Sequence, residues 1–350
     1  MKLSKSSIFK RIKDGKNTFI IAEAGVNHNG SLAMAYKLIN AAVACGCDAV
    51  KFQTFKTHEV ISRKAPKARY QQQTTSLRES QFDMVKKLEL DEKAHRLLKV
   101  HCDKKGILFL STPFDRSSVD LLDGLGVPLF KIPSGEITNI PFLQYVARKK
   151  KPLILSTGMS TLKEVKQAVD VIVTVGNRQL VLLHCVTAYP APLAQANLKA
   201  IATLHKAFDL PVGYSDHTLG IDASLAAVVL GAKVIEKHIT IDKGLPGPDH
   251  QASLEPAELK EMVKRIRSME EALGNGIKKP VACELENIMI ARKSLVASRA
   301  IPAGHRIMPE DVAIKRPGSG ILPAELPYVI GRKTRRAIGE DDVLVWKDFL

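Results

Sequence analysis

The chain has no apolar run of the ~18–20 residues that a membrane-spanning helix needs. Its first residues, MKLSKSSIFKRIKDGK, are basic but lack the apolar stretch and small-residue cleavage site of a secretory signal. That predicts a cytoplasmic protein. Cysteine is sparse and odd in number: Cys45, Cys47, Cys102, Cys185 and Cys283 are scattered, and Cys45-Gly46-Cys47 has the wrong spacing for a zinc knuckle. A disulfide framework is therefore excluded, and five reduced thiols are expected. Aromatic residues make up only 5% of the chain, too few for the stacking platforms that hold single-stranded nucleic acid. No glycine-rich dinucleotide fingerprint follows the first strand-like run, which argues against a doubly wound nucleotide-binding sheet.

What is present is a globular composition, 45% hydrophobic and 25% charged over 350 residues, enough for one large domain and a small one. The net charge is +16. Lysine and arginine are dense only at 147–151 (ARKKK) and 331–336 (GRKTRR). Spread this way, the charge predicts a solvated basic surface compatible with a small anionic substrate, with no nucleic-acid or membrane partner.

Strand-like runs recur at 19–24, 49–52, 108–112, 129–132, 153–156, 180–184, 212–215 and 234–238. Helix-like segments separate them, among them 32–45, 81–104, 162–175, 194–208 and 221–230, and 256–273 follows the last strand. Eight strand–helix cycles predict an α/β protein, a (β/α)8 barrel. Ahead of the first strand, residues 8–22 read as a hairpin turning at Asp14-Gly15. The pattern changes after about Gly274. The expected domains are a barrel over 1–280, hairpin included, and a small C-terminal domain over 281–350 with short strands and tight turns.

In a barrel of this kind the strand C-termini and the loops after them form one mouth. Polar residues gather there: Glu23, Asn27, His28 and Asn29; Lys51 and Gln53; Thr112; Lys131, Ser134 and Glu136; Ser156; Thr187 and Tyr189; Ser215 and His217; Glu236 and His238; and Asp249 beyond. Any one of these is accounted for by a helix cap or a loop hydrogen bond. Eight polar strand ends on one face point to a site. Two lysines among small hydroxyls suit a phosphate and a carboxylate, and Glu23, Gln53, Glu136 and Asp249 suit a polyhydroxylated molecule. His217 and His238, each an ordinary hydrogen-bonded histidine if taken alone, sit on adjacent strand–helix units, where they could share one divalent metal. A long insertion, 56–80, has the length and polarity of a lid. Arg316 stands in a Gly- and Pro-rich loop of the small domain.

The stretches IAEAGVNHNGS, AVKFQTFK, FLSTPFD, FKIPSGEITN, LSTGM, LLHCVTAYPAP, GYSDHTLG, IEKHIT, PGPDH and ARKSLVA…KRPGSG together resemble the sialic acid synthases, the nonulosonic acid synthase family that includes the legionaminic acid synthases. The resemblance spans nearly the whole chain. Its C-terminal part is similar to that family's antifreeze-like (SAF) domain. It implies metal-dependent condensation of phosphoenolpyruvate with N-acetylmannosamine, giving N-acetylneuraminate and phosphate by C–O cleavage. The legionaminic branch would instead use 2,4-diacetamido-2,4,6-trideoxymannose, and the pseudaminic branch is a poorer match. His217 and His238 would hold the metal, typically Mn2+, with Mg2+ or Co2+ as substitutes. Lys51, Thr112, Lys131, Ser134, Ser156 and Ser215 would hold phosphoenolpyruvate. Thr187 stands where the family often has Asn. Glu23, Gln53, Tyr189 and Asp249 would hold the sugar, and Glu136 is the candidate base. The family's domain-swapped homodimer would bring Arg316 to the partner's site. Three rivals predict different behaviour: a noncatalytic carbohydrate-binding barrel, an RNA-binding protein, and an aldolase forming a Schiff base on Lys51 or Lys131.

Overall fold

The computed structural model describes residues 5–68, 71–72, 75 and 79–350. The chain divides into two compact units, Met1–Gly274 and Asn275–Leu350.

The first unit is a (β/α)8 barrel. Its strands are β1 (Phe19–Gly25), β2 (Ala49–Thr54), β3 (Leu108–Pro113), β4 (Phe130–Ile132), β5 (Leu153–Ser156), β6 (Leu180–Cys185), β7 (Val212–Asp216) and β8 (Val234–His238). All paired neighbours are parallel, and the hydrogen-bonded order runs β3-β2-β1-β8-β7-β6-β5-β4. Direct pairing of β1 with β8, Phe19 opposite Val234 through Glu23 opposite His238, joins the first strand to the last.

Strand side chains alternate between two faces, and the sequence uses both. Ile20, Ala22, Val50, Phe52, Phe109, Phe130, Leu155, Leu182, Tyr214 and Ile235 point outward into the core shared with the helices. Phe19, Ile21, Ala49, Leu110, Leu129, Ile154, Val181, Leu183 and Val234 fill the barrel interior. Continuing the inward set by two residues along each strand changes its chemistry abruptly, to Glu23, Lys51, Thr112, Lys131, Ser156, Cys185, Ser215 and Glu236. The interior is apolar low in the barrel and polar at the C-terminal end of the strands.

Three expected elements differ. Residues 8–22 are not a hairpin: Lys5–Asp14 is a helix leading into β1. Ile8 and Ile12 lie one turn apart, both buried, and join the barrel-interior cluster with Phe19 and Val234. Their i, i+4 spacing is helical, and Gly15 ends the helix, its N–H donating to the Arg11 carbonyl at 3.0 Å. The helix expected over 81–104 is two, Gln81–Lys86 and Glu92–Lys105. The second starts at an N-cap, Asp91, whose carboxylate accepts from Ala94 N–H at 2.7 Å. The helix expected over 194–208 begins only at Ala200, after a short 3-10 turn at Leu193–Gln195.

The basic run at 147–151 is spent within the barrel unit. Lys149 pairs with Asp120 at 2.6 Å, and buried Lys151 pairs with Asp123 at 2.8 Å. Both aspartates belong to the neighbouring helix Arg116–Gly124.

The second unit pairs β9 (Ser294–Ala297) antiparallel with β10 (Val312–Lys315). Its core is Leu295, Ala297, Ile301, Ile307, Ile321, Val329, Ile338, Leu344 and Phe349. So small a core leans on polar ties. Asp311, fully buried, accepts from Arg299 Nε, His305 Nε2 and Met308 N, each at 2.8 Å. Burial disfavours its charge, but these donors win and hold its carboxyl below the usual range. A carboxyl with a depressed folded pKa stabilises the fold above its unfolded value, and that contribution is lost as pH falls through the folded value. Asp311→Asn should therefore cost the unit about 2–4 kcal/mol at pH 7 and much less near pH 3. Urea unfolding followed by fluorescence of Trp346, the sole tryptophan, measures this. An equal loss at both pH values would contradict the ionic role of Asp311.

Candidate active site

At the polar end of the barrel one cavity of about 280 Å³ opens. Its lining includes Glu23, Lys51, Gln53, Thr112, Lys131, Ser134, Ser156, Thr187, Tyr189, Ser215, His217, His238 and Asp249. Glu136 stands off that lining. It ends the turn Ser134–Glu136, and its carboxylate accepts from Asn139 Nδ2 at 2.6 Å. Arg316 belongs to the second unit, exposed, with Nε donating to the Ala291 carbonyl at 3.1 Å.

The centre of the cavity is a chain of alternating buried charges. Lys51 Nζ lies 2.6 Å from Glu23 Oε2, 3.0 Å from Thr112 Oγ1 and 3.6 Å from Glu236 Oε2. Lys131 Nζ lies 3.3 Å from Glu236 Oε1, which also accepts from Ser215 Oγ at 2.9 Å. Register explains the assembly: Glu23 is opposite Lys51 on one side and His238 on the other, and Ser215 is opposite Glu236. Burial raises the Glu236 carboxyl, but Lys131 and Lys51 overcome it and bring it to about 2. Burial dominates at Glu23 and pushes it up to about 7. Burial works against the Lys51 ammonium, yet Glu23 and Glu236 raise its pKa, whereas burial prevails at Lys131 and lowers it.

The two histidines sit beside this array, ring centroids 5.6 Å apart. His217 Nδ1 donates to the Val186 carbonyl at 2.7 Å, so Nε2 carries the lone pair. His238 Nδ1 is buried without a hydrogen-bond partner, 4.0 Å from Asp249 Oδ2. Burial lowers His217 to about 4 and His238 well below its ordinary value, so both are neutral imidazoles near pH 7. Two neutral imidazoles, one fixed in tautomer and one with an unsatisfied nitrogen, fit a divalent cation. Among the described residues no group of three or more His, Cys, Asp or Glu forms a closed metal cage, so a cation here would keep positions for solvent or substrate. The ring of Tyr189 lies 4.1 Å from that of His217.

On the β4–β6 side the lining tightens around Gly158. Its N–H donates to Ser134 Oγ at 3.0 Å, Ser134 Oγ lies 3.1 Å from Cys185 Sγ, and Ser156 Oγ is buried without a partner. A Cβ on Gly158 would come within 2.3 Å of Thr187 Oγ1 and 2.8 Å of Ser134 Oγ. Small hydroxyls and Lys131 make a cradle for a small anion, with the Gly158 N–H orienting Ser134 Oγ within it.

The comparisons with known proteins fall in line with this geometry. The model for the NeuB family matches residues 38–278, and the SAF domain model matches 292–350. The chain belongs to the NeuB family. It is 53% identical to the N,N'-diacetyllegionaminic acid synthase of Campylobacter jejuni subsp. jejuni, over 94% of this chain and 99% of that one. It is 49% identical to the N,N'-diacetyllegionaminic acid synthase of Legionella pneumophila subsp. pneumophila, with 94% of each chain covered. In structure it is similar to the N-acetylneuraminic acid synthetase of Leptospira borgpetersenii, with a TM-score of 0.69 and 38% identity, over 78% of this chain and 90% of that one.

Sequence reasoning names Glu236 as a strand-end residue without giving it a role. It places Gly158 at the end of the fifth strand and Cys185 among the thiols, again without a role in the site. Parity was the available signal: 236 is two residues before His238 on one strand, so both face inward. Substituting Gly158→Ala should fill the cradle and weaken inorganic phosphate by about tenfold or more (about 1.4 kcal/mol), measured by isothermal titration, with the far-UV spectrum retained. Unchanged phosphate affinity would contradict the cradle.

Proposed function

We propose that this chain is an N,N'-diacetyllegionaminic acid synthase, condensing phosphoenolpyruvate with 2,4-diacetamido-2,4,6-trideoxymannose. The chain is an enzyme of the phosphoenolpyruvate-dependent nonulosonic acid synthase type. The two diacetyllegionaminic acid synthases, at 53% and 49% identity, stand above the sialic acid synthetase at 38%. That ranking carries the choice of sugar and replaces the N-acetylmannosamine that the sequence put first. A Schiff base on Lys51 is disfavoured, because Lys51 is held as an ammonium by the carboxylates beside it, and a charged lysine is no nucleophile; borohydride trapping with pyruvate tests Lys131.

In this reading Lys131, Ser134, Ser156 and Ser215, with the Gly158 region, hold the phosphate and carboxylate of phosphoenolpyruvate, and Lys51 with Thr112 completes the anion contacts. Glu23, Gln53, Tyr189 and Asp249 orient the sugar's hydroxyl and amide groups. His217 and His238 would hold a divalent metal, proposed to be Mn2+, which would supply Lewis-acid polarisation of the sugar aldehyde. The methylene carbon of phosphoenolpyruvate forms a bond to the aldehyde carbon, and the aldehyde oxygen takes a proton from solvent water to become a hydroxyl. Positive charge then develops at C2, next to the buried carboxylates of Glu23 and Glu236, which stabilise it in a medium of low polarity. Water adds at C2 with loss of one proton, and the C2–O bond to phosphate then breaks as the C2 hydroxyl passes its remaining proton to the departing phosphate, leaving the keto acid and inorganic phosphate. Glu136 is proposed to accept the water proton. Burial raises its carboxyl, which suits a base, and it is next in sequence to Ser134 and Gly135, which line the cavity although Glu136 itself does not.

The described helices include none long and apolar enough to cross a membrane, and all five cysteines carry free thiols. Both support a cytoplasmic place for the enzyme. The proposed assembly is a homodimer in which Arg316 serves the partner's site. Phosphate release from phosphoenolpyruvate tests the function. Release should be fastest with the diacetamido sugar, stop with EDTA and return with Mn2+. Release with N-acetylmannosamine alone would overturn the choice of sugar. Glu136→Gln should lower kcat by at least about tenfold with both KM values within about threefold. An unchanged kcat would remove Glu136 from the chemistry.

A further inference from the structure

The cavity has a second face that the charged array does not use. Val26 follows β1, Phe55 follows β2 and Phe114 follows β3, and all three line it. Met84, Val85 and Leu88, from the helix Gln81–Lys86 and the residues after it, line it as well. Val26, Phe55 and Leu88 form a cluster of their own, separate from both barrel cores, with Val85 and Phe114 packed against it. Phe55 and Phe114 meet edge to face, ring centroids 6.1 Å apart. Glu23 and Gln53, linked at 3.4 Å, stand on β1 and β2 between this wall and the lysines. The polar sequence of the insertion predicts a lid over a polar ligand; part of that stretch (69–70, 73–74 and 76–78) lies outside the described residues. Just beyond the insertion, Met84, Val85 and Leu88 present apolar side chains to the cavity.

Such a wall is a poor neighbour for a hydroxyl and a good one for a methyl group. Resting on the synthase reading above, the sugar has two forms to distinguish. N-acetylmannosamine carries hydroxyls at C4 and C6. The diacetamido-trideoxy sugar carries an acetamido group at C4, ending in a methyl, and a bare methyl at C6. We infer that Val26, Phe55, Met84, Val85, Leu88 and Phe114 form the subsite for the C6 methyl and the C4 acetamido methyl, and that this wall sets the preference for the deoxygenated, diacylated sugar. The amide polar atoms of the sugar face Glu23 and Gln53, and its methyl groups face the wall. The preference is a rejection as much as an attraction: a hydroxyl against the wall gives up water and gains no partner. A hydrophobic pocket discriminates against an added hydroxyl by about 10²-fold at most, so selection of about 10- to 100-fold is the scale to expect.

The test uses the full-length enzyme with phosphoenolpyruvate and three sugars: the diacetamido-trideoxymannose, N-acetylmannosamine, and 2-acetamido-2,6-dideoxymannose, which differs from the second only at C6. Wild type should rank them by kcat/KM in the order first, third, second. Val85→Thr and Phe114→Tyr each add a hydroxyl to the wall with little change in shape. Each should reduce the preference for the first sugar over the second by about tenfold, with the KM for phosphoenolpyruvate within about twofold. That retained KM also shows that the variant is folded. If wild type prefers the diacetamido sugar and neither folded variant moves the ratio, the wall proposal is overturned and the synthase stands. If wild type prefers N-acetylmannosamine, the wall proposal falls together with the choice of sugar. If no sugar releases phosphate, the synthase reading fails, and the wall proposal with it.

Discussion

One buried ammonium between two buried carboxylates organises the mouth of this barrel. Lys51 cannot be taken out of water alone, and neither can Glu23 or Glu236. Together, with Lys131 closing the other end of Glu236, they form a short lattice of alternating charge whose spacings, 2.6 to 3.6 Å, are set by strand register. The lattice sets two ammonium groups, Lys51 and Lys131, against one cavity, which suits a multiply charged anion. It also keeps two carboxylates against the position where positive charge would develop. The rest of the site hangs from it: Ser215 through Glu236, Thr112 through Lys51, and Gln53 through Glu23.

The same strands build a second polar network on their outer face. Asp216 and Lys237, each one residue out of phase with the site, pair at 3.0 Å with both side chains fully buried. Asp216 also accepts from Thr218 Oγ1, Thr218 N and Ser224 Oγ, and Lys237 donates to the Thr218 carbonyl. This outer tie fixes the strand ends from which His217 and His238 project. A strand that places a catalytic group inward can place its brace outward at the next residue, because the side-chain period is two.

That period is also why so much was legible beforehand. The eight strands stood out as short apolar runs ending in polar residues; inward parity brings Glu23, Lys51, Gln53, Thr112, Lys131, Ser156, Ser215 and His238 into one cavity, and Ser134, Thr187, Tyr189, His217 and Asp249 reach it from the loops that follow the strands. Glu236 was harder to place, since one acid among Glu-Lys-His gives no sign of which neighbour faces in until the strand is anchored. Gly158 could be named at the end of the fifth strand but given no role, because its role is the absence of a side chain. The apolar wall was hidden for another reason: its six residues come from four separate stretches, and none of those stretches has a period of its own. The N-terminal helix was misread because Ile8 and Ile12 fit alternation as well as they fit one helical turn, and only the barrel floor decides between them. Arg316 lies in the other unit, where sequence can name the loop but not its neighbour.

The central claim is that charge develops at C2 of phosphoenolpyruvate, beside Glu23 and Glu236, and is quenched there by water. The direct measurement uses phosphoenolpyruvate labelled with 18O in its C2–O–P bridge, incubated with the metal-loaded enzyme and the diacetamido sugar and followed by mass spectrometry of both products. The account predicts that the label leaves in inorganic phosphate and that the new keto oxygen comes from solvent. Label retained in the sugar acid would mean that the P–O bond breaks, and would contradict the role given to the charged array.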